Sequence, residues 1–337
     1  MSDPKIFSLK SVSVDRVNIF LKKQFEPSKA RFLIKHGEWL HKGNGNRFVL
    51  VLNDEIIGYC GIIPTQVYIN GITKPALWWI DLIISREFRK VGYQNIFDEF
   101  ITNRPETKLG FPNKLAARIH AKHGWKIYNK IKVLKFPLKP KQIPEINKYG
   151  SFFPKLIYFI ISLKLRRVRN LKSKLIEKHN TPEFEQLIDL HHKTKIKYFT
   201  TFKDKDYFNW RYFNSPFKKD YVFYILKKEE RIHLTLIVRK IEKENGLNIR
   251  IVDFFGYLDD NVAIMELLNK LISDSLMMGA VQITVFENNP NIKKLLFRNG
   301  FIFFKKVRFC LFSKSQTIDK NTKIRWSISG SDNDFLD

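Results

Sequence analysis

Two segments far apart in the chain share one pattern. NKLAARIHAKHGW (113–125) and NPNIKKLLFRNGF (289–301) each begin with Asn and reach a Gly-aromatic pair, the glycine eleven residues on, with apolar residues between them at helical spacing. Asn favours the first position of a helix and Gly the position just past its end, so each segment reads as one complete short helix. Each follows a short strand-like run, KLGF (108–111) or VQITVFE (281–287), and precedes a longer one, WKIYNKIKVLKF (125–136) or FIFFKKVRFCLF (301–312). A pattern of that complexity occurring twice implies internal duplication of one fold. With 337 residues the chain has room for two copies.

The rest of each copy can be read around that segment. In the first, RFVLVLN (47–53), IIGYCGIIPTQVYI (56–69) and LWWIDLII (77–84) are strands, with turns at Asn53-Asp54 and Asn70-Gly71. A helix is expected from residue 94 to 103, ended by Arg104-Pro105. In the second, YVFYILKK (221–228), HLTLIVRKI (233–241) and IRIVDFFGYL (249–258) are strands, followed by a helix over 261–278. Hairpin, strand, helix, strand, helix, strand is an α/β pattern: in each copy a mixed, mostly antiparallel sheet flanked by helices. The expected division is a first domain over 1–138, a linker over 139–180, a second domain over 181–315 and a tail over 316–337.

Composition narrows the function classes. A hydrophobic share of 44% with 30 Phe fills real cores and excludes global disorder. Cys60 and Cys310, the two cysteines, stand in apolar runs and read as buried thiols of a reducing compartment; no metal site is expected. The start, MSDPKIFSLK, lacks a charged segment followed by an apolar one. A net charge of +27 points to nucleic acid, an anionic membrane surface or a polyanionic small substrate. Much of the excess is local: residues 130–180 carry fourteen basic side chains against Glu145 and Glu177. Within them, residues 152–178 place apolar side chains at 156, 160, 163, 168, 171 and 175 with Arg and Lys between. That is a basic amphipathic helix, with an apolar run too short to span a bilayer, suited to a membrane surface or to packing on a domain. No nucleic-acid recognition motif accompanies the charge, so nucleic acid is the less favoured partner.

The chemistry concentrates in the first copy. LWWIDLII runs into FRKVGYQNIF (88–97), a strand, a turn with Arg89 and Gly92, then a helix. Glycine admits a ligand close to the backbone, and the free N–H groups of a helix start attract anions. Asp81 is a carboxylate in an otherwise apolar strand, where burial is expected to raise its pKa and make it a better base. It also reads as a structural carboxylate, and His120 as a half-buried histidine without a catalytic task.

Taken in order, these pieces resemble the GCN5-related N-acetyltransferase (GNAT) family over about residues 45–136. The resemblance rests on Asp81 in its strand, Arg89-Lys90-Val91-Gly92-Tyr93-Gln94, Gly110-Phe111-Pro112-Asn113, and the segment from Asn113 through Ala116, Ile119, His120 and Gly124 to Trp125. It implies an acetyl-CoA co-substrate with its pyrophosphate gripped by Arg89, Lys90, Val91, Gly92, Tyr93 and Gln94, and with Asn113 also in the cofactor site. It implies splayed central strands, with backbone N–H groups near Leu82, Ile83 and Ile84 polarising the thioester carbonyl and with Trp79 and Phe111 at the substrate. Asp81 would be the base, and His120, where the family often has Tyr, would protonate the departing thiolate. Gln94 stands where the family usually has Gly or Ala. The second copy keeps the outline without the chemistry: its turn is Tyr257-Leu258-Asp259-Asp260-Asn261-Val262, and Leu296 takes the place of His120. It is read as a degenerate GNAT-like domain that shapes an acceptor site.

The stretches DYFNWRYFNSPFKKDY (206–221) and RWSISGSDNDF (325–335) resemble two-domain acyltransferases of bacterial surface-polysaccharide pathways. This implies acetyl transfer to an amine or hydroxyl of a sugar in a cell-surface glycan or its precursor. Trp210 and Arg211 would contact the sugar, Asp332 and Asp334 its hydroxyls, and the protein would be cytoplasmic, peripheral at the inner membrane face. The aromatic stretch also reads as core, and the two aspartates as tail. Aminoacyl transfer to a peptidoglycan precursor is an alternative, as is a catalytically silent GNAT-like membrane or nucleic-acid-binding protein.

Overall fold

The computed structural model describes residues 3–69, 72–147, 155, 176–179, 185–186, 188–190, 199–314 and 326–332. Apart from Lys155 and residues 176–178, the expected amphipathic helix over 152–178 lies outside the described residues, as does Asp334. The chain divides into two compact units, Met1–Asn129 with Arg308–Lys323, and Lys130–Val307 with Ile324–Leu336.

In the first unit, β1 (Lys5–Ser8), β2 (Arg47–Leu52), β3 (Glu55–Ile69) and β4 (Ile72–Ile84) form an antiparallel ladder in sequence order. The β2–β3 turn places Asn53 at φ +46° and Asp54 at φ +64°, the left-handed pair that a two-residue hairpin turn needs. Helices α1 (Val14–Gln24) and α2 (Pro27–Leu40) precede β2. Helix α3 (Gln94–Asn103) then carries the chain to β5 (Thr107–Gly110), parallel to β4, because a parallel pairing needs a long crossover. Helix α4 (Lys114–Lys122) follows. Leu50, Ile57, Cys60, Ile62, Leu77, Trp79, Phe97, Ile101, Trp125 and Cys310 pack in one core, and burial pushes both thiols upward in pKa. Neither cysteine forms a disulfide.

The second unit begins with β7 (Ile176–His179), a strand where the expected amphipathic helix would end, and β8 (Phe199–Thr201). It then repeats the plan with β9 (Tyr221–Lys228), which also pairs with β7, β10 (Arg231–Lys243) and β11 (Gly246–Gly256) antiparallel, then α5 (Asn261–Met277), β12 (Gln282–Glu287) parallel to β11, and α6 (Pro290–Arg298). Leu236, Ile249, Ile251, Leu267, Leu271, Ile283, Leu295 and Leu296 form its core. Two strands depart from the sequence expectation. The run read as closing the first copy, β6 (Lys126–Pro137), pairs antiparallel with β12 through residues 132–137 of the second unit. The run read as closing the second copy, β13 (Ile302–Phe312), instead places Cys310, Leu311 and Phe312 beside β5 in the first. Each half of the sequence thus lends its last strand to the other unit. Alternating apolar residues mark a segment as a strand but do not say which sheet edge it joins.

The duplicated helices match bond for bond. Asn113 Oδ1 accepts from the amides of Leu115 and Ala116, and Asn289 Oδ1 from those of Asn291 and Ile292. At the other end, Trp125 N–H donates to His120 O and Gly124 N–H to Ala121 O; Phe301 and Gly300 donate likewise to Leu296 and Phe297. This is the Schellman stop, and Gly124 (φ +84°) and Gly300 (φ +91°) hold its left-handed residue. Among the described residues no helix is long and apolar enough to cross a membrane.

Candidate active site

Strands β4 and β5 stay together for only three pairs, Ala76–Thr107, Leu77–Lys108 and Trp78–Leu109. Beyond Trp78, β4 keeps only β3 as a partner among the described residues, so the alternate backbone amides of residues 79–84 that point away from β3 have no strand there to donate to. On the β3 side the register jumps: Gly61 pairs with Ile80 and Tyr59 with Ile83, leaving Asp81 and Leu82 opposite Cys60. This is a β-bulge, and Asp81 takes φ +57° within it. Leu82, Ile83 and Ile84 therefore follow the bulge on an open strand edge.

The chain then turns into α3 through an exposed loop. Lys90 has φ +75° and Gly92 φ +96°. A Cβ on Gly92 would meet only Asn95 Nδ2, at 3.6 Å, so backbone conformation, not space, calls for glycine here. The amides of Lys90, Val91, Gly92, Tyr93 and Gln94 donate to no protein acceptor among the described residues, and Tyr93, the residue before the helix, supplies no side-chain cap. Arg89 Nε donates to Ile84 O at 3.0 Å, anchoring the guanidinium between the end of β4 and the turn. Five open amides at a helix start, flanked by Arg89 and Lys90, can hold a phosphate-type anion.

Asp81 lies in a setting the sequence did not disclose. Its side chain is 2% exposed, with Lys29 Nζ 2.8 Å from Oδ1 and His41 Nε2 3.5 Å from Oδ2. Burial pushes the carboxyl up in pKa, but the Lys29 ammonium and the His41 imidazole outweigh it and hold it down at about 2. The expected rise is overturned, and a carboxylate this acidic is a poor proton acceptor at neutral pH. His41 is itself fully buried, with its pKa lowered by desolvation and its Nδ1 3.2 Å from Ile62 O. Gly61 makes the space: a Cβ there would lie 2.0 Å from the imidazole.

His120 is 5% exposed and packs against both Trp79 (ring centroids 4.8 Å apart) and Trp125 (5.0 Å), which also touch each other. Its Nδ1 is 2.7 Å from Oδ1 of Asp98, a fully buried carboxylate on α3. Oδ2 of the same carboxylate accepts from Gln94 Nε2 at 3.3 Å. Gln94 thus spends its amide on its own helix. Sequence reasoning missed Asp98, although a signal was present: positions 94, 97, 98 and 101 fall on one face of a helix, and Phe97 and Ile101 are core.

The remaining expected residues are placed as follows. Trp79 is a core residue, 5% exposed, and Phe111 stacks on Trp78 at 4.9 Å. Asn113 caps α4. Tyr207, Phe208, Tyr212 and Tyr221 are core, with Trp210 partly buried against them. Arg211, expected at a sugar, is fully buried; it donates to Tyr221 Oη at 2.7 Å and to Ser331 O at 3.2 Å. A guanidinium in the interior must satisfy its donors within the protein, and this one does so by pinning the segment around Ser331.

No family model and no curated relative matches the chain by sequence. Solved structures do match by fold. N-myristoyltransferase from Saccharomyces cerevisiae, with bound myristoyl-CoA, superposes with a TM-score of 0.63 at 11% identity, over 93% of this chain and 83% of that one. A GCN5-related N-acetyltransferase from Anabaena variabilis gives 0.59 at 14% identity, over 92% and 72%. A probable N-acyltransferase from Enterococcus faecalis gives 0.62 at 11% identity, over 92% and 72%. The chain shares the two-unit α/β fold of these structures.

Proposed function

We propose that the first unit is the active site of an acyl-CoA-dependent acyltransferase. The observation that carries this reading is the set of five open amides at residues 90–94, beside Arg89 and next to the strand edge left by the splay of β4 and β5. A pyrophosphate needs several donors and a cation, and this turn offers open amides and Arg89. In this reading the amides of Lys90, Val91, Gly92, Tyr93 and Gln94 and the Arg89 guanidinium hold the pyrophosphate, with Asn113 fixing the start of α4. Open backbone amides near Leu82, Ile83 and Ile84 accept charge that develops on the thioester oxygen. His120 gives a proton to the departing sulfur. Asp81 serves as the counter-ion of Lys29 and holds the bulge, and is assigned no base role.

The acyl group is taken as acetyl. The acceptor we favour is an amine or hydroxyl of a sugar in a cell-surface glycan or its precursor, which rests on the resemblance of 206–221 and 325–335 to two-domain acyltransferases of such pathways. The basic segment 130–180 supports work at an anionic membrane face over nucleic acid. The second unit, with Asp259 and Asp260 at its turn and Leu296 for His120, takes no part in the transfer chemistry. Calorimetric titration with acetyl-CoA tests the core of the reading. Binding that is lost in Arg89→Ala supports it, and absence of binding to the wild-type protein sinks it. Liposome and DNA co-sedimentation then separates the two partners proposed for the charge.

A further inference from the structure

The two departures from the family pattern, Gln94 and His120, are the two ends of one hydrogen-bonded chain: Gln94 Nε2 to Asp98 Oδ2, and Asp98 Oδ1 to His120 Nδ1. Asp98 is fully buried, so its carboxylate cannot exchange these partners for water. A carboxylate accepts hydrogen bonds, so Nδ1 must carry the proton in this pair. The remaining ring nitrogen, Nε2, makes no hydrogen bond among the described residues, and the two indole rings fix the ring plane. One of those indoles belongs to Trp79, the first residue of β4 beyond the last β4–β5 pair.

We propose that Asp98 and Gln94 are positioning residues that hold His120 with Nδ1 protonated, leaving Nε2 as its only proton-exchanging atom. This rests on the acyl-transfer reading only for what Nε2 then does. As the acceptor nitrogen bonds to the acyl carbon and the carbon–sulfur bond breaks, the thiolate takes the Nε2 proton. Imidazolium becomes the neutral Nδ1–H imidazole, and the proton given up by the acceptor amine returns to the solvent that recharges Nε2. The opposite tautomer would present a lone pair to Asp98 and is excluded by that carboxylate. The family's usual small residue at position 94 needs no such partner. Here the Gln94 amide supplies a donor to the second oxygen of the buried Asp98.

Two measurements decide the proposal. In protein labelled with 15N-histidine, multiple-bond 1H–15N spectra report which ring nitrogen is protonated, with the His120 signals identified by their loss in His120→Gln. The wild-type protein is expected to show His120 protonated at Nδ1 once Nε2 has titrated. Asp98→Asn is expected to abolish that preference, and Gln94→Ala to weaken it with the fold intact by circular dichroism. A wild-type His120 protonated at Nε2, or a preference unchanged in Asp98→Asn, overturns the proposal. The second measurement is acetyl transfer. Asp98→Asn should lower kcat at least ~10-fold and leave KM for acetyl-CoA within about twofold, since general acid catalysis typically contributes ~100-fold or more. Equal kcat in Asp98→Asn and wild type overturns the positioning role. If the wild-type protein shows no transfer, the acyltransfer reading fails while the spectra still decide where the proton sits.

Discussion

The two units share a bulged strand and differ at their helix starts. In the first, a bulge after the parallel ladder carries Asp81, buried against Lys29. In the second, a bulge at the matching place on β11 lies beside Asp253, fully buried against Lys203, Tyr212 and Ser331. The helix starts diverge. Amides 90–94 are open ahead of α3, whereas ahead of α5 the carboxylate of Asp260 already occupies the anion position. Asp260 Oδ1 accepts from Ala263 N–H at 3.0 Å, and Oδ2 lies 2.6 Å from Lys228 Nζ and 2.8 Å from His233 Nε2. A buried Lys–Asp pair present in both units, one of which lacks the turn and the histidine, belongs to the architecture. The open helix start and the Asp98–His120 pair, present in one unit, are the parts we propose for the chemistry.

The largest effect is expected where that distinction is most exposed. Lys29→Met and Lys203→Met each leave a buried carboxylate without its cation, and each should lower unfolding stability by about 3–5 kcal/mol in urea titrations. Similar losses in both variants support a shared structural role. If Lys29→Met retained stability and lost turnover, the pair would belong to the chemistry and the comparison would break. The pH dependence of the first pair has a definite sign. Asp81 is held at about 2 when folded, below an ordinary carboxylate near ~4, so its contribution is complete above about pH 4 and is lost as pH falls toward 2.

Next comes the open turn. Gly92→Asp sets a carboxylate at φ +96° among the free amides, one residue before Tyr93 at the helix start, as Asp259 precedes Asp260 in the second unit. Its Kd for acetyl-CoA should rise about 100-fold, or about 2.7 kcal/mol, by calorimetry. Arg89→Ala should cost less, about tenfold, because the amides remain. Unchanged binding in Gly92→Asp would move the site away from α3.

Much of this was legible in the sequence. The order of elements, the Asn caps, the Gly stops and the strand-turn-helix at Gly92 all depend on residues adjacent in sequence, and the structure has them. What was not legible depends on what lies across the fold. The pKa of Asp81 is decided by Lys29 and His41, fifty-two and forty residues away. Strand β6 was read as closing the first copy because its apolar alternation does not encode its partner β12. Arg211 looked like a sugar contact since aromatics and a cation suit either a ligand or a core, and its burial settles which it is. Gln94 read only as a departure from the family's Gly or Ala, because its hydrogen-bond partner, Asp98, is set by the side-chain geometry of the helix.

The smallest effect tests the closed helix start. Asp260→Ala removes a cap and should cost about 1 kcal/mol in thermal unfolding, without creating acetyl-CoA binding, because the second turn offers no arginine and keeps the acidic Asp259. Asp260→Asn is the finer variant, since an amide oxygen can still accept from Ala263 N–H while the charge is gone. In the wild-type protein the bond from Lys228, then that from Ala263 N–H, then His233 hold the Asp260 carboxyl well below its ordinary range. A group whose folded pKa is depressed adds stability above its unfolded pKa and loses it as pH falls through the folded value. The stability difference between wild type and Asp260→Asn should therefore be constant above about pH 5 and shrink below about pH 4. Its size at neutral pH should stay under about 1 kcal/mol and fall with added salt, because Lys228 is half exposed. A difference that grew as the pH fell would mean that the carboxylate is not the anion held at this helix start, and the contrast between the two units would lose its electrostatic basis.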